Sequence, residues 1–142
     1  MKTPVIMLGM AAGLAACIST QPPPAAVPER FDANPGAGAI YILRGRDPVV
    51  LSGVPVNLDG QSVASLRRDD YIRVDVPPGQ HRIGCGDPET TQVVDVAAGR
   101  TAYVEAVLRV GWMAPSCTLT SLDDVNGQQR VMEGKRVASA PP

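Results

Sequence analysis

From Ile40 to Leu119, apolar side chains recur on every second residue in short runs separated by turn residues. A period of two puts one set of side chains on one face of an extended strand, so these runs bury their apolar sets by stacking sheets. Ile40 and Ile42 alternate with Tyr41 and Leu43, which makes that strand apolar on both faces and central. Val54, Val56 and Leu58 alternate with Pro55, Asn57 and Asp59, and Asp59-Gly60 then predicts a tight hairpin, because both residues tolerate positive φ. Pro55 cannot donate to a sheet ladder, which predicts an edge strand or a strand that begins there. Ile72, Val74 and Val76 lead into Pro77-Pro78-Gly79, and His81, Ile83 and Cys85 follow on one face. Val94 and Val96, then Ala102, Val104, Ala106 and Leu108, then Cys117 and Leu119 complete the pattern. The tail has two readings. Ser121-Leu122-Asp123-Asp124 caps a helix through about Glu133, or Asn126-Gly127 turns another hairpin; the helix is preferred.

The first residues are of a different kind. Lys2 is followed by an apolar run from Val5 to Ala16. Twelve helical residues rise about 18 Å, too short for a hydrocarbon core of about 30 Å. A short apolar run ending in small residues predicts a cleaved signal peptide. Leu14-Ala15-Ala16-Cys17 resembles the lipobox of bacterial lipoprotein precursors. That resemblance implies that residues 1–16 are removed, and that Cys17 becomes the first residue and carries fatty acyl chains such as palmitate. One chain anchors a protein weakly, whereas two or more hold it stably. Ile18 stands where an Asp marks inner-membrane retention in that class, so the resemblance implies the periplasmic side of the outer membrane.

The chain has three cysteines, an odd count for a secreted protein. Assigning Cys17 to lipid leaves Cys85 and Cys117, an even pair in an oxidising compartment. Their disulfide would close a loop of about 33 residues and add about 3–4 kcal/mol on the chain-entropy account.

Residues 18–38 contain Pro22, Pro23, Pro24, Pro28 and Pro35 among Ala and Gly. Such a stretch buries too little apolar surface to offset its ordering entropy, and residues 17–38 read as a lipidated tether. Residues 39–142 then form one domain of ordinary size. The 13 basic residues, mostly scattered arginines, balance 14 acidic ones, which argues against a nucleic-acid partner.

The string Val56-Asn57-Leu58-Asp59-Gly60, then Tyr71 to Val76, then Pro77-Pro78-Gly79-Gln80-His81, resembles small bacterial lipoproteins carrying a β-sandwich domain. Val96-Ala97-Ala98-Gly99-Arg100-Thr101-Ala102-Tyr103-Val104 continues the likeness, and the Pro-Gly-x-His turn resembles that of PEGA-type modules of extracytoplasmic proteins. These motifs are turn glycines and strand apolars. The resemblance implies a fold and supplies no catalytic residues, and Cys85 and Cys117 lie outside its pattern.

Candidate chemistry is sparse. His81 is the only histidine, four residues before Cys85. On one strand those positions share a face but stand about 13 Å apart, beyond the reach of a Cys–His dyad. One histidine and two separated cysteines make no tetrahedral metal site. Asp95 and Glu105 face outward and are expected to pair with Arg82 or Arg109 across strands. Arg67-Arg68-Asp69-Asp70 reads as a charged hairpin connection. Arg109 and Trp112, in Arg109-Val110-Gly111-Trp112-Met113-Ala114-Pro115, are the candidate binding surface, although a Trp closing one end of the core is the commoner use of such a residue.

The expectation is an all-β antiparallel sandwich of about seven strands, immunoglobulin-like or transthyretin-like. It is read as a non-catalytic, lipid-anchored envelope module without cofactor or metal that binds an envelope protein or peptidoglycan. The rivals are a thiol–disulfide enzyme using Cys85 and Cys117, and a structural spacer.

Overall fold

The strand Gly38–Arg44 (β1) is buried along its whole length, and everything else is arranged around it. The computed structural model describes residues 29–48, 53–87 and 89–140. Within them lie β2 (Val54–Leu58), β3 (Gln61–Leu66), β4 (Asp70–Val76), β5 (Gly79–Cys85), β6 (Thr90–Val96), β7 (Thr101–Arg109), β8 (Ser116–Leu122), α1 (Asp124–Glu133) and the two-residue β9 (Lys135–Arg136). One sheet has the order β8-β7-β1-β4-β9 and the other β3-β2-β5-β6. Most pairings are antiparallel, as the alternation predicts. β1 against β7 and β4 against β9 are parallel, because their connections pass through other elements before returning.

The sandwich core is the apolar set read from the period of two. Ile40, Ile42, Ile72, Val74 and Val104 from one sheet meet Val56, Leu58, Val63, Ile83 and Val96 from the other. Burial of such side chains contributes about 1.5–3 kcal/mol each relative to exposure. Gly38 sits where a Cβ would come within 2.6 Å of Val96 Cγ1, so glycine lets the two sheets close at this end. Asp59 and Gly60 both have positive φ, 51° and 84°, and make the β2–β3 hairpin turn.

Pro55 sits at the start of its strand, one of the two positions expected for it, and not at a sheet edge. It is the second residue of β2, which lies between β3 and β5. Registered pairing to β5 starts only at Val56 opposite Cys85, so the missing N–H lies before that ladder begins. The tail forms the capped helix and not the hairpin. Asp123 Oδ1 accepts the amide of Asn126 at 2.9 Å, and Gly127 lies inside the helix. After α1 the chain closes one open side of the sandwich: Val137 N donates to Tyr71 O at 2.9 Å and Ala140 N to Val63 O at 2.8 Å, linking β4 to β3.

The packed unit reaches back beyond Ala39, into the stretch whose composition reads as tether. Thr101 Oγ1 donates to the carbonyl of Phe31 at 2.6 Å, and Arg73 holds the carbonyls of Arg30 and Asp32.

Candidate functional site

Cys85 ends β5 in one sheet and Cys117 is the second residue of β8 in the other. They form a disulfide across the sandwich, with Cα atoms 5.9 Å apart. Both are buried among Val54, Ala106 and Leu108. Together with the Gln92–Ser121 hydrogen bond at 2.6 Å, the disulfide joins the side of the sandwich opposite the tail. Cys17, the predicted lipid site, lies outside the described residues.

His81 follows the Pro77-Pro78-Gly79 turn and is 8% exposed. Its Nδ1 is 2.7 Å from Asp59 Oδ2 and its Nε2 is 2.7 Å from the carbonyl oxygen of Pro77. Both neighbours are acceptors, so both ring nitrogens donate and the ring is favoured as imidazolium. Burial alone would lower its pKa, but the bonds to Asp59 and Pro77 outweigh it and raise it. Burial opposes the shift at Asp59 too, where the contacts with His81 and the Arg82 amide hold the carboxyl below its ordinary range. A ring with neither nitrogen free cannot take a proton from a nucleophile, and Cys85 is oxidised besides. His81 and Asp59 themselves line an open cleft of 470 Å³, together with Gln80, Arg82, Glu89, Thr91 and Val93.

The outward carboxylates are placed otherwise than expected. Glu105 pairs with Arg130 of α1, Nε to Oε1 3.0 Å, rather than with Arg82 or Arg109, because α1 covers that part of the sheet. Asp95 is exposed opposite Gln80. Of Arg67-Arg68-Asp69-Asp70, the first three form the charged β3–β4 connection and Asp70 opens β4.

One cluster escaped the sequence reading. Tyr41, Tyr71 and Tyr103 lie side by side on the outer face of the first sheet, under α1 and the segment before β1. Tyr41 stacks on Tyr103 with centroids 5.2 Å apart, and Phe31 lies 6.2 Å from Tyr41. The hydroxyls of Tyr41 and Tyr71 donate to the two oxygens of Glu29 at 2.6 and 2.8 Å. Burial first, then the hydrogen bond and charge of Glu29, push the Tyr71 hydroxyl up to about 12 and that of Tyr41 further. The signal available was three tyrosines at outward positions of strands that proved adjacent; the pairing of those strands is not written in any local window.

Trp112 does not close the core. It is 101% exposed, at the tip of the β7–β8 hairpin, with Met113 at 93% and Val110 at 78%. Arg109 at the neck of the hairpin is exposed as well. All other aromatic side chains belong to the tyrosine cluster, so Trp112 alone is uncommitted to packing.

Among the described residues, no group of three His, Cys, Asp or Glu side chains is placed to hold a metal ion, and no helix is long and apolar enough to cross a membrane. No protein-family model, curated protein or solved structure matches the chain.

Proposed function

We propose that this chain is a non-catalytic lipoprotein of a bacterial envelope, anchored through acylated Cys17 to the periplasmic side of the outer membrane. Its sandwich acts as a binding module for an envelope protein or cell-wall component. The observation that carries the reading is the engagement of the side chains best suited to chemistry. His81 holds an acceptor at each nitrogen, and Cys85 and Cys117 are joined and buried. A thiol–disulfide enzyme needs an accessible sulfur, and both sulfurs of this pair belong to buried residues. The Leu-Ala-Ala-Cys run supports the anchor, and the likeness of the turn pattern to PEGA-type modules supports an extracytoplasmic site of action.

Titration of the mature Cys17→Ser chain onto purified sacculi and onto envelope proteins tests the binding role. Saturable binding that survives high salt is expected. A chain that saturates on neither preparation is a spacer, and the binding role falls. Rapid labelling of Cys85 or Cys117 by a thiol reagent after mild reduction, with the fold retained, would instead favour the enzyme.

A further inference from the structure

From Val110 to Leu122 the chain carries no charged side chain, and its tip presents Val110, Trp112 and Met113 almost fully to water. Exposed apolar residues grouped at a convex tip mark a surface that meets another phase or molecule. Position in the fold decides which. β7 runs parallel to β1, with Ala106 opposite Arg44, and then continues to Arg109. Three strand residues carry it about 10 Å past the end of β1, and the tip lies further out.

The start of the described chain faces the same way. Phe31 is held at Thr101, near the opposite end of β7, whereas Glu29 is bonded to Tyr71, whose strand partner Leu43 is next to the last residue of β1. The backbone going back from Phe31 to Glu29 therefore heads toward the end where the tip projects. Eleven residues lie between Cys17 and Glu29, a span of about 37 Å over twelve steps at about 3.1 Å per residue. A lipid on Cys17 would thus hold the membrane within reach of the tip.

We propose that the β7–β8 tip inserts into the headgroup region of that membrane, with Trp112 and Met113 at its deepest point and Arg109 directed to lipid phosphates. Tryptophan settles at the boundary between hydrocarbon and water, and an arginine at the neck keeps its charge in the polar layer. Interfacial burial of about 5–10 Å suits a six-residue tip, and no charge is dehydrated on entry. The insertion sets one end of the sandwich against the bilayer and leaves the outer face of the β3-β2-β5-β6 sheet for the envelope partner. The inference rests on the anchoring half of the proposed function and leaves the identity of that partner open.

Trp112 is the only tryptophan, so its fluorescence reports the tip directly. The purified mature lipoprotein is placed in phosphatidylethanolamine–phosphatidylglycerol vesicles with ordinary or brominated acyl chains. Expected are a blue shift of the emission, loss of iodide quenching, and loss of most intensity with the brominated lipid. Met113→Asp, a change on an exposed side chain, should abolish the quenching by bromine while the protein still floats with the vesicles. Flotation with a water-exposed, unquenched Trp112 overturns the proposal. So does a blue shift that follows protein concentration and ignores bromine, which would mean that a second copy covers the tip. If the protein does not float, the anchor reading has failed; the Cys17→Ser chain titrated with excess vesicles then decides the tip by the same bromine quenching, and its absence overturns the insertion too.

Discussion

His81 Nδ1 sits 2.7 Å from Asp59 Oδ2, tying the turn that ends β4 to the turn that ends β2. The pKa of His81 is raised on folding and that of Asp59 is lowered. The histidine's contribution to stability is complete below its unfolded value of about 6.5 and is lost as pH rises through the higher folded value. The contribution of Asp59 is present above its unfolded value of about 3.9 and is lost as pH falls through the lower folded value. The clasp is therefore strongest between those limits. Urea unfolding of wild type and Asp59→Asn should show the widest gap near pH 5.5 and a narrower one at pH 8.5. A gap that stays constant or widens with pH would show that the histidine is neutral in the fold.

The Cys85–Cys117 disulfide spans a sequence separation of 32 residues and joins the two sheets. The double variant Cys85→Ser, Cys117→Ser should lose about 3–4 kcal/mol in denaturant unfolding, with added cost from two hydroxyls in an apolar site. A loss under about 1 kcal/mol would mean that the remaining contacts already hold that side closed.

Gly127 lies inside α1 against the ring of Tyr103, and a Cβ there would come within 2.6 Å of both Cδ atoms. In an exposed helix Gly→Ala stabilises by about 1 kcal/mol. Here the overlap reverses the sign, and Gly127→Ala should destabilise by about 1–3 kcal/mol. Gln129→Ala on the exposed side of the same helix should change stability by less than about 0.5 kcal/mol. Thermal unfolding of the two variants compares them directly.

The alternation in β1, β2 and β4 to β8 was legible because burial in a sandwich is set by the period of two, a local property. The capped helix was legible for a similar reason, since Asp123 and Asp124 act within one turn. What was not legible depended on which strands became neighbours. The tyrosine cluster needs β1 beside both β4 and β7, and the parallel β1–β7 pairing carries no sequence signature. Glu29 lies in a proline-rich stretch whose composition predicts a tether, yet two tyrosine hydroxyls from distant strands hold it. Trp112, a lone Trp between two strands, is the kind of residue that commonly closes a core. Its hairpin instead carries it past the end of β1, where its side chain is fully exposed.

Intact-mass analysis of the protein extracted from membranes is the most direct test of the account. Expected is a polypeptide that begins at Cys17 and carries the added mass of two or more acyl chains, with Cys17→Ser abolishing both the added mass and membrane retention. A membrane-free protein that begins at another residue, with an unmodified Cys17, would contradict it.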